Sequence, residues 1–313
     1  MEKSPIPFLT SIPARPLPHH HPDLPIITAI CREVEARAGG WRRFEENVPI
    51  LLRRALDEVI DTPRTSRFFL DQTEKTEKTY IGTKVEIVLR DFLELKKGIL
   101  DLVINEVDVD IKNTVTNGWM IPVEAIGKPC ILVYENEDKA MCGVGVIVAH
   151  PTNLTTGLNR DRKAAISATG RRNIHWLLQE CPYPRNIWLD VPVESRLWIM
   201  SESSGNRRLY RLLHYFIGRP VSRYSLESVG QQQDFMKRIR ANGGVRDLFG
   251  PEGIVVLSGT YDRQLAFRIF GINIAKDEIV ACRVEHQEQL EAVRESGHQT
   301  VTGLWRGVTA TFS

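Results

Sequence analysis

The sequence predicts an α/β fold in two parts: a mixed sheet flanked by helices, followed by a smaller α+β domain. Two near-continuous apolar runs, 131–134 and 143–148, are typical of central strands that are buried on both faces. Amphipathic helical patterns precede and follow them, which favours helices packed on a sheet. Prolines at 182 and 184 break a helical run that ends near Gln179. We therefore predict one domain over residues 23–178 and a second over residues 179–313.

Composition places the chain among globular proteins of the cytoplasm. Of its 313 residues, 42% are hydrophobic and 26% are charged, and the net charge is only +2. No apolar run reaches transmembrane length and no signal peptide is evident, so we expect no membrane association. The five cysteines are scattered and no pair has zinc-finger spacing. We expect them to be buried free thiols in a reducing compartment.

The N-terminal segment and the residues after it differ sharply. Residues 1–22 contain six prolines and the run His19-His20-His21, a composition that predicts a flexible tail with no core. Residues 24–60 then show apolar residues at helical spacing, interrupted by Gly39-Gly40. This pattern predicts two packing helices, to which we assign no chemistry.

A third helix is predicted from about residue 82 to about residue 95. Glu86 lies at the edge of its apolar stripe and is therefore able to face the sheet that the helix covers. The alternative for Glu86 is an ordinary i,i+4 salt bridge with Arg90. Lys75 and Lys78, in the polar stretch before this helix, are candidate phosphate contacts, although solvated surface lysines would show the same pattern.

The most informative stretch is 101–112, DLVINEVDVDIK, which alternates as a β-hairpin does. With Asn105-Glu106 as the turn, Ile104 pairs with Val107, and Asp101 comes to lie opposite Asp110. Paired carboxylates destabilise a sheet unless a positive charge lies between them. Lys112 falls on the same face. Such a set suits an oxygen-ligated divalent cation with a lysine beside it, the pattern of the PD-(D/E)xK nucleases.

Spacing alone does not establish this chemistry. A carboxylate two residues before a lysine occurs four times in the chain, and only the pair Asp110 and Lys112 lies in a clear strand pattern with another acid opposite. The alternative is an exposed, charged hairpin without any chemistry.

Short polar side chains follow the hairpin. Asn113, Thr116 and Asn117 are candidates for contacts to bases or phosphates, and they are equally plausible as turn formers. Arg160 begins a basic segment, predicted as the start of another helix, that is also a candidate DNA contact.

The second part is locally basic, with nine lysines and arginines against two acids over residues 206–246. Helices are predicted over 207–217, around 226–229 and over 231–240, followed by a β-wing from Gly243-Gly244 and 253–257. This order is typical of a winged helix-turn-helix, whose third helix reads bases in the major groove. Three amphipathic helices alone are common, so a packing role remains open. The candidate DNA-binding side chains are Gln231, Gln232, Lys237, Arg238 and Arg240.

Several stretches in order resemble the NaeI family of type II restriction endonucleases. They are KTEKTYIGTKVEI at 75–87, the acids and lysine of 101–112, WMIPVEAIG at 119–127, NRD at 159–161, QQQDFMKRIRANGG at 231–244 and PEGIVVL at 251–257. The resemblance covers residues from about 24 to about 285 and implies a restriction-endonuclease-like domain followed by a winged-helix domain. It places the family's acids on Glu86, Asp101 and Asp110 and its lysine on Lys112. Ile111 would offer only its backbone carbonyl to the metal.

The resemblance implies a Mg²⁺-dependent, sequence-specific enzyme that hydrolyses double-stranded DNA. It further implies a homodimer, a second DNA site bound by the C-terminal domain as activator, and a cognate DNA methyltransferase in the host. Two alternatives remain open from the residues: a DNA-binding regulator on an inactive nuclease fold, and a structure-specific or nicking repair nuclease.

Overall fold

The chain divides into two compact units in the computed structural model, which describes residues 21–116, 118–230, 239 and 243–307. The first unit comprises residues up to Ile60 together with Phe69–Asn186, and the second comprises Asp61–Phe68 and the residues from Ile187 onward. The predicted tail over 1–22 lies outside the described residues except for its last two positions. Within the described part of the chain, no helix is both long enough and apolar enough to cross a bilayer.

The two N-terminal helices are as predicted. Helix α1 spans Leu24–Ala38 and helix α2 spans Trp41–Ile60. Gly39 ends α1 in the left-handed conformation, with φ of 78°, and its N–H donates to the carbonyl of Ala36. This is the usual role of glycine at a helix C-terminus, because a β-carbon makes that conformation costly.

Helix α4 (Lys75–Phe92) begins earlier than the sequence predicted. Its first turn is formed by the polar stretch that was expected only to precede it. The side chain of Glu77 reaches back and accepts a hydrogen bond from the N–H of Glu74 at 2.8 Å. A side chain that satisfies a free N–H at a helix start stabilises that end, so no apolar pattern is required there.

The first unit contains a five-stranded mixed sheet in the order β1-β2-β4-β5-β8. Strands β2 and β4 are parallel, and the other neighbouring pairs are antiparallel. The mixed sheet was predicted. The strands are β1 (Leu102–Ile104), β2 (Val107–Thr114), β4 (Pro129–Asn136), β5 (Met141–Val148) and β8 (His175–Pro182).

The predicted helical run that ends near Gln179 is wrong, because β8 occupies these residues and pairs with β5. Leu177 is half-buried and Leu178 is buried, so the strand shows no clear alternation that would identify it. Pairing with a neighbour determines strand formation here more than local preference does. The predicted boundary after residue 178 therefore falls inside a strand of the sheet.

The two faces of the sheet are covered differently. Helices α1, α2 and α4 pack on one face, against Val109, Ile111, Val133 and other apolar residues. The opposite face is covered by a second sheet, β3-β7-β6, and not by the helices that were predicted there. Its strands are too short to be recognised from sequence periodicity. They are β3 (Met120–Ile121), β6 (Leu154–Leu158) and β7 (Ala164–Ile166), and the short helix α5 (Ala168–Arg172) follows.

From Ile187 onward, the second unit begins with short helical elements. A 3₁₀ turn covers Ile187–Asp190 and helix α6 covers Val193–Met200. Helix α7 (Gly205–Tyr215) and helix α8 (Arg223–Gly230) confirm two of the predicted helices. The third, over 231–240, lies almost entirely outside the described residues.

A three-stranded antiparallel sheet in the order β10-β11-β9 follows. Gly243-Gly244 lead into helix α9 (Val245–Phe249) and not into a wing. The predicted strand is β10 (Ile254–Ser258), which is buried along its length and pairs with β11 (Glu278–Arg283). Helix α11 (Gln287–Glu295) follows this sheet. The elements are α3 (Thr62–Thr65), β9 (Val221–Ser222), α9 (Val245–Phe249), β10 (Ile254–Ser258), α10 (Arg263–Phe270), β11 (Glu278–Arg283) and α11 (Gln287–Glu295).

Candidate active site

The hairpin predicted over 101–112 is confirmed, with Ile104 opposite Val107 and Leu102 opposite Val109. The turn residues Asn105 and Glu106 both have positive φ, 49° and 63°. These values are typical of the two-residue turns whose twist matches that of antiparallel strands. Extended by one residue pair beyond Leu102 and Val109, the same register places Asp101 beside Asp110.

The side chains of Asp101, Asp110 and Lys112 lie in contact next to the paired residues of the hairpin. The Nζ atom of Lys112 lies 2.7 Å from Oδ1 of Asp110 and 3.5 Å from Oδ2 of Asp101. It also donates to the carbonyl of Ile111 at 2.8 Å. The N–H of Ile111 in turn donates to Oδ2 of Asp101 at 2.6 Å. The ammonium group thus neutralises both carboxylates, as paired acids on one sheet face require.

Burial makes this group of charges unusual. Asp110 is only 3% exposed, and burial raises the pKa of its carboxyl group, against the opposing effect of the hydrogen bond from Lys112. The pKa of Lys112 is raised by its hydrogen bond to Asp110 and by the surrounding carboxylates, which outweigh its own burial. Groups with perturbed ionisation in close contact are typical of functional sites.

Glu86, on helix α4, belongs to the same electrostatic group. Its pKa is raised to about 7, first by burial and then by the negative charge of Asp101, while Lys112 lowers it. The alternative partner, Arg90, donates from Nη1 to the backbone carbonyl of Asp101 at 3.3 Å. The structure therefore brings together all four residues that the sequence singled out for catalysis.

The donor atoms fit a hard divalent cation. Oδ2 of Asp110 is buried and has no hydrogen-bond partner, and an unpaired buried carboxylate oxygen is costly unless a further partner binds it. With Asp101 and the carbonyl of Ile111 it forms an all-oxygen set, which Mg²⁺ prefers. Within the described ranges, no three His, Cys, Asp or Glu side chains converge as a ready-made metal cage. Here the Lys112 ammonium lies among the acids.

The predicted DNA contacts fall in different settings. Lys75 and Lys78 are exposed at the start of α4, and Thr116 is exposed in a loop. Arg160 is exposed in the turn between β6 and β7, so the helix predicted to start there is wrong. Asn113 is half-buried, and its amide donates to Oε1 of Glu135 at 3.1 Å. The other candidates, Asn117, Gln231, Gln232, Lys237, Arg238 and Arg240, lie outside the described residues.

Sequence reasoning missed a buried polar cluster that adjoins the end of β2. Glu135 is 1% exposed and accepts hydrogen bonds from Asn113 and from the hydroxyl of Tyr183 at 2.8 Å. Arg53, fully buried on α2, donates to Glu137 at 2.8 Å and also to Asp57. Polar residues in otherwise apolar stretches, such as Glu135 after the run 131–134, were the available signal.

The site defines the class of protein on chemical grounds. Two carboxylates, a third acid of raised pKa and a lysine meet at strands of a mixed sheet, as expected for a nuclease. A family model, "Restriction endonuclease NaeI", matches residues 45–308. The chain is also 34% identical over 249 residues to "Type II restriction enzyme NaeI" from Lentzea aerocolonigenes. The aligned region covers 75% of this chain and 77% of the relative.

The chain belongs to the NaeI family of restriction endonucleases. It is therefore a type II restriction enzyme, a deoxyribonuclease that binds DNA, and the two alternatives left open by the sequence are set aside.

Proposed function

We propose that the protein cleaves both strands of DNA at a specific sequence in a Mg²⁺-dependent reaction at Glu86, Asp101, Asp110 and Lys112. The observation that carries this proposal is the buried, unpartnered Oδ2 of Asp110, beside a second carboxylate and a lysine. When bound, Mg²⁺ supplies polarisation of the scissile phosphate and stabilisation of its developing negative charge.

Each residue has a separate role in this proposal. Asp101, Asp110 and the backbone carbonyl of Ile111 hold the cation through oxygen atoms. Lys112 orients the attacking water and stabilises the pentavalent transition state through its positive charge. Glu86 either completes the cation's ligand set or accepts a proton through water, and a pKa of about 7 suits the second task near neutral pH.

DNA binding is assigned to polar and basic residues of both units. Lys75, Lys78 and Arg160 contact phosphates. Thr116 and Asn117, which follow strand β2 in the chain, also contact DNA. Asn113 takes part with its backbone, since its amide nitrogen already binds Glu135 and its side-chain oxygen is buried. In the second unit, a winged-helix domain binds a further DNA copy that activates cleavage. Its base-reading residues are Gln231, Gln232, Lys237, Arg238 and Arg240.

The order of elements in the second unit supports its assignment as a winged helix. Helix α7, strand β9 and helix α8 precede the proposed reading helix, and strands β10 and β11 follow it, with β11 paired to both β10 and β9. We propose in addition that the enzyme acts as a homodimer, because cutting two strands needs two such centres, and that it acts in the cytoplasm beside a cognate DNA methyltransferase.

Digestion of phage DNA by the purified full chain tests the proposal. We expect discrete fragments with Mg²⁺ and none with EDTA. Asp110→Ala should abolish cleavage and retain DNA binding in a gel-shift assay, whereas the exposed control Asp138→Ala should cleave as the wild type does. Cleavage by Asp110→Ala at the wild-type rate would refute the assigned site. Loss of both binding and cleavage, with a changed near-UV spectrum, would show that Asp110 is structural.

A further inference from the structure

Two cysteines face each other across neighbouring strands of the first unit. Cys142 on β5 is paired with Cys181 on β8 in the antiparallel ladder. Residues paired in this way have α-carbons about 4.5–5.5 Å apart, which is within the range that a disulfide bond spans. The two thiols are also close enough to shift each other's pKa. Both are free thiols in the structure.

The two thiols differ in access and in acidity. Cys142 is completely buried, while Cys181 is partly exposed and lies between the exposed residues Glu180 and Pro182. The thiol of Cys142 lowers the pKa of Cys181, and the interaction between the two thiols, together with burial, raises the pKa of Cys142. Since the thiolate is the reactive form, Cys181 is the better nucleophile of the two.

The remaining cysteines are unlike this pair. Cys31, Cys130 and Cys282 are buried. Burial raises the pKa of Cys31 and of Cys282 to about 12, and it raises that of Cys130 further. Thiols of this kind are inert toward small oxidants. They therefore provide internal controls for any reaction at the pair.

We propose that Cys142 and Cys181 form an oxidisable dithiol whose substrate is a low-molecular-weight disulfide and whose product is a cross-strand disulfide. The thiolate of Cys181 attacks one sulfur of the small disulfide, breaks its S–S bond and releases one small thiol after protonation. Cys142 then loses its proton and attacks the sulfur of Cys181, which releases the second small thiol. Two protein thiols are oxidised by two electrons in total, and one small disulfide is reduced to two thiols.

The new bond would join the last strand of the sheet to its neighbour. The closed loop runs from residue 142 to residue 181 and contains β6, β7 and α5. Cross-linking a loop of this length restricts the unfolded chain, so we expect the oxidised protein to melt several degrees higher. In a reducing cytoplasm the pair stays as thiols, and the bond forms when small disulfides accumulate.

Incubation of the full chain with oxidised glutathione, followed by alkylation of free thiols and intact mass measurement, tests the proposal. We expect two of the five thiols to disappear and a peptide map to join the peptides that contain Cys142 and Cys181. Cys142→Ser should stop at one glutathione per chain on Cys181, and Cys181→Ser should not react. The matched control Cys31→Ser should lose the same two thiols as the wild type.

Retention of all five thiols in the folded wild type would overturn the proposal, as would equal loss from Cys31, Cys130 and Cys282. If Cys142→Ser does not fold, as judged by its near-UV spectrum, Cys142→Ala replaces it. The peptide map of the wild type decides the cross-link independently of any variant.

Discussion

Gly98 lies so close to Asp108 that a β-carbon at position 98 would overlap the Oδ1 atom of that carboxylate. The same carboxylate oxygen accepts a hydrogen bond from the N–H of Ile99 at 2.8 Å. Asp108 thereby holds the loop that connects α4 to β1. Asp101 follows this loop directly. We therefore expect the position of Asp101, a proposed cation ligand, to depend on Asp108, which is not itself one of the proposed ligands.

Replacement of Asp108 tests this dependence. Asp108→Ala removes an acceptor that binds the loop, and a hydrogen bond to a charged group contributes about 1.5–3 kcal/mol. If the full loss is transferred to the cation affinity of Asp101, the Mg²⁺ concentration for half-maximal cleavage should rise by about 10- to 150-fold. Asp108→Asn keeps an acceptor oxygen and should remain close to the wild type. The measurement is a Mg²⁺ titration of the cleavage rate.

Hydrogen exchange in the absence of Mg²⁺ provides the control for that experiment. Asp108→Ala should increase exchange in peptides covering residues 96–104, and peptides from the second unit should be unchanged. An unaltered Mg²⁺ requirement with faster exchange would show that the loop does not position Asp101. Gly98→Ala should produce the same exchange pattern, because its methyl group also meets Val103.

Lys112 should be required for the reaction rate more than for DNA binding. Lys112→Met removes the positive charge from Asp101 and Asp110, and loss of one group that stabilises a transition-state charge lowers the rate about 10²–10³-fold. Single-turnover cleavage and a gel-shift assay measure the two properties separately. Lys139→Met is a matched control, because Lys139 also follows an acid by two residues and is exposed. A rate for Lys112→Met within threefold of wild type would contradict the assigned role.

The cation affinity of the free protein should depend on pH through Glu86. Its pKa is about 7, raised first by burial and then by Asp101, so the carboxyl group is protonated below that pH and ionised above it. Protons compete with the cation for the ionised form, and affinity should therefore fall as the pH decreases from 8 to 6. Calorimetric titration with Mg²⁺ in buffers of different ionisation enthalpy should show proton release at pH 6.5.

Glu86→Gln should reduce that proton release and weaken the dependence of Mg²⁺ affinity on pH. Glu124→Gln, at an exposed position, should change neither. Proton release that is equal in Glu86→Gln and the wild type would assign the titration to another group.

Glu135 should make stability depend on pH. Burial raises its pKa from 4.5 to about 7, so the folded state holds the proton more tightly than the unfolded state. The resulting stability is fully present below pH 4.5 and is lost as the pH rises to about 7, with a magnitude of about 3 kcal/mol at most. Glu135→Gln cannot ionise. Relative to wild type, its urea midpoint should therefore increase between pH 4.5 and pH 7.5, and a constant difference would refute the assignment.

The parts of the site that could be predicted are those set by residue alternation in a strand or by spacing along a helix. The alternation of Val107, Val109 and Ile111 with acids fixed the register that brings Asp101 to Asp110. Glu86 was found from its place on a helical stripe. The loop contact between Ile99 and Asp108 was not predictable, because it depends on how an irregular segment folds back, which no periodicity records.

The fold was predictable where one element produces its own pattern. Helices α1 and α2 and strands β4 and β5 have such patterns, whereas β8 and the sheet β3-β7-β6 form through pairing with distant segments. Helix α4 was predicted too short because its first turn depends on a side-chain contact between Glu77 and Glu74. The differences at β8 and in the small sheet therefore arise from contacts between distant segments, whereas the difference at α4 arises from a local contact that apolar periodicity does not record.

The parallel pairing of β2 and β4 has a consequence for how the chain is assembled. Parallel neighbours require the chain to return across the sheet before it can pair again, and here residues 115–128 make that return and carry β3. Strands β6 and β7, which complete the small sheet, come from the connection between β5 and β8. Two separate connections of the chain must therefore reach the same face of the main sheet before the small sheet can form, so cutting the chain in either connection should disrupt the cover over that face while leaving the pairing of β1 with β2 intact.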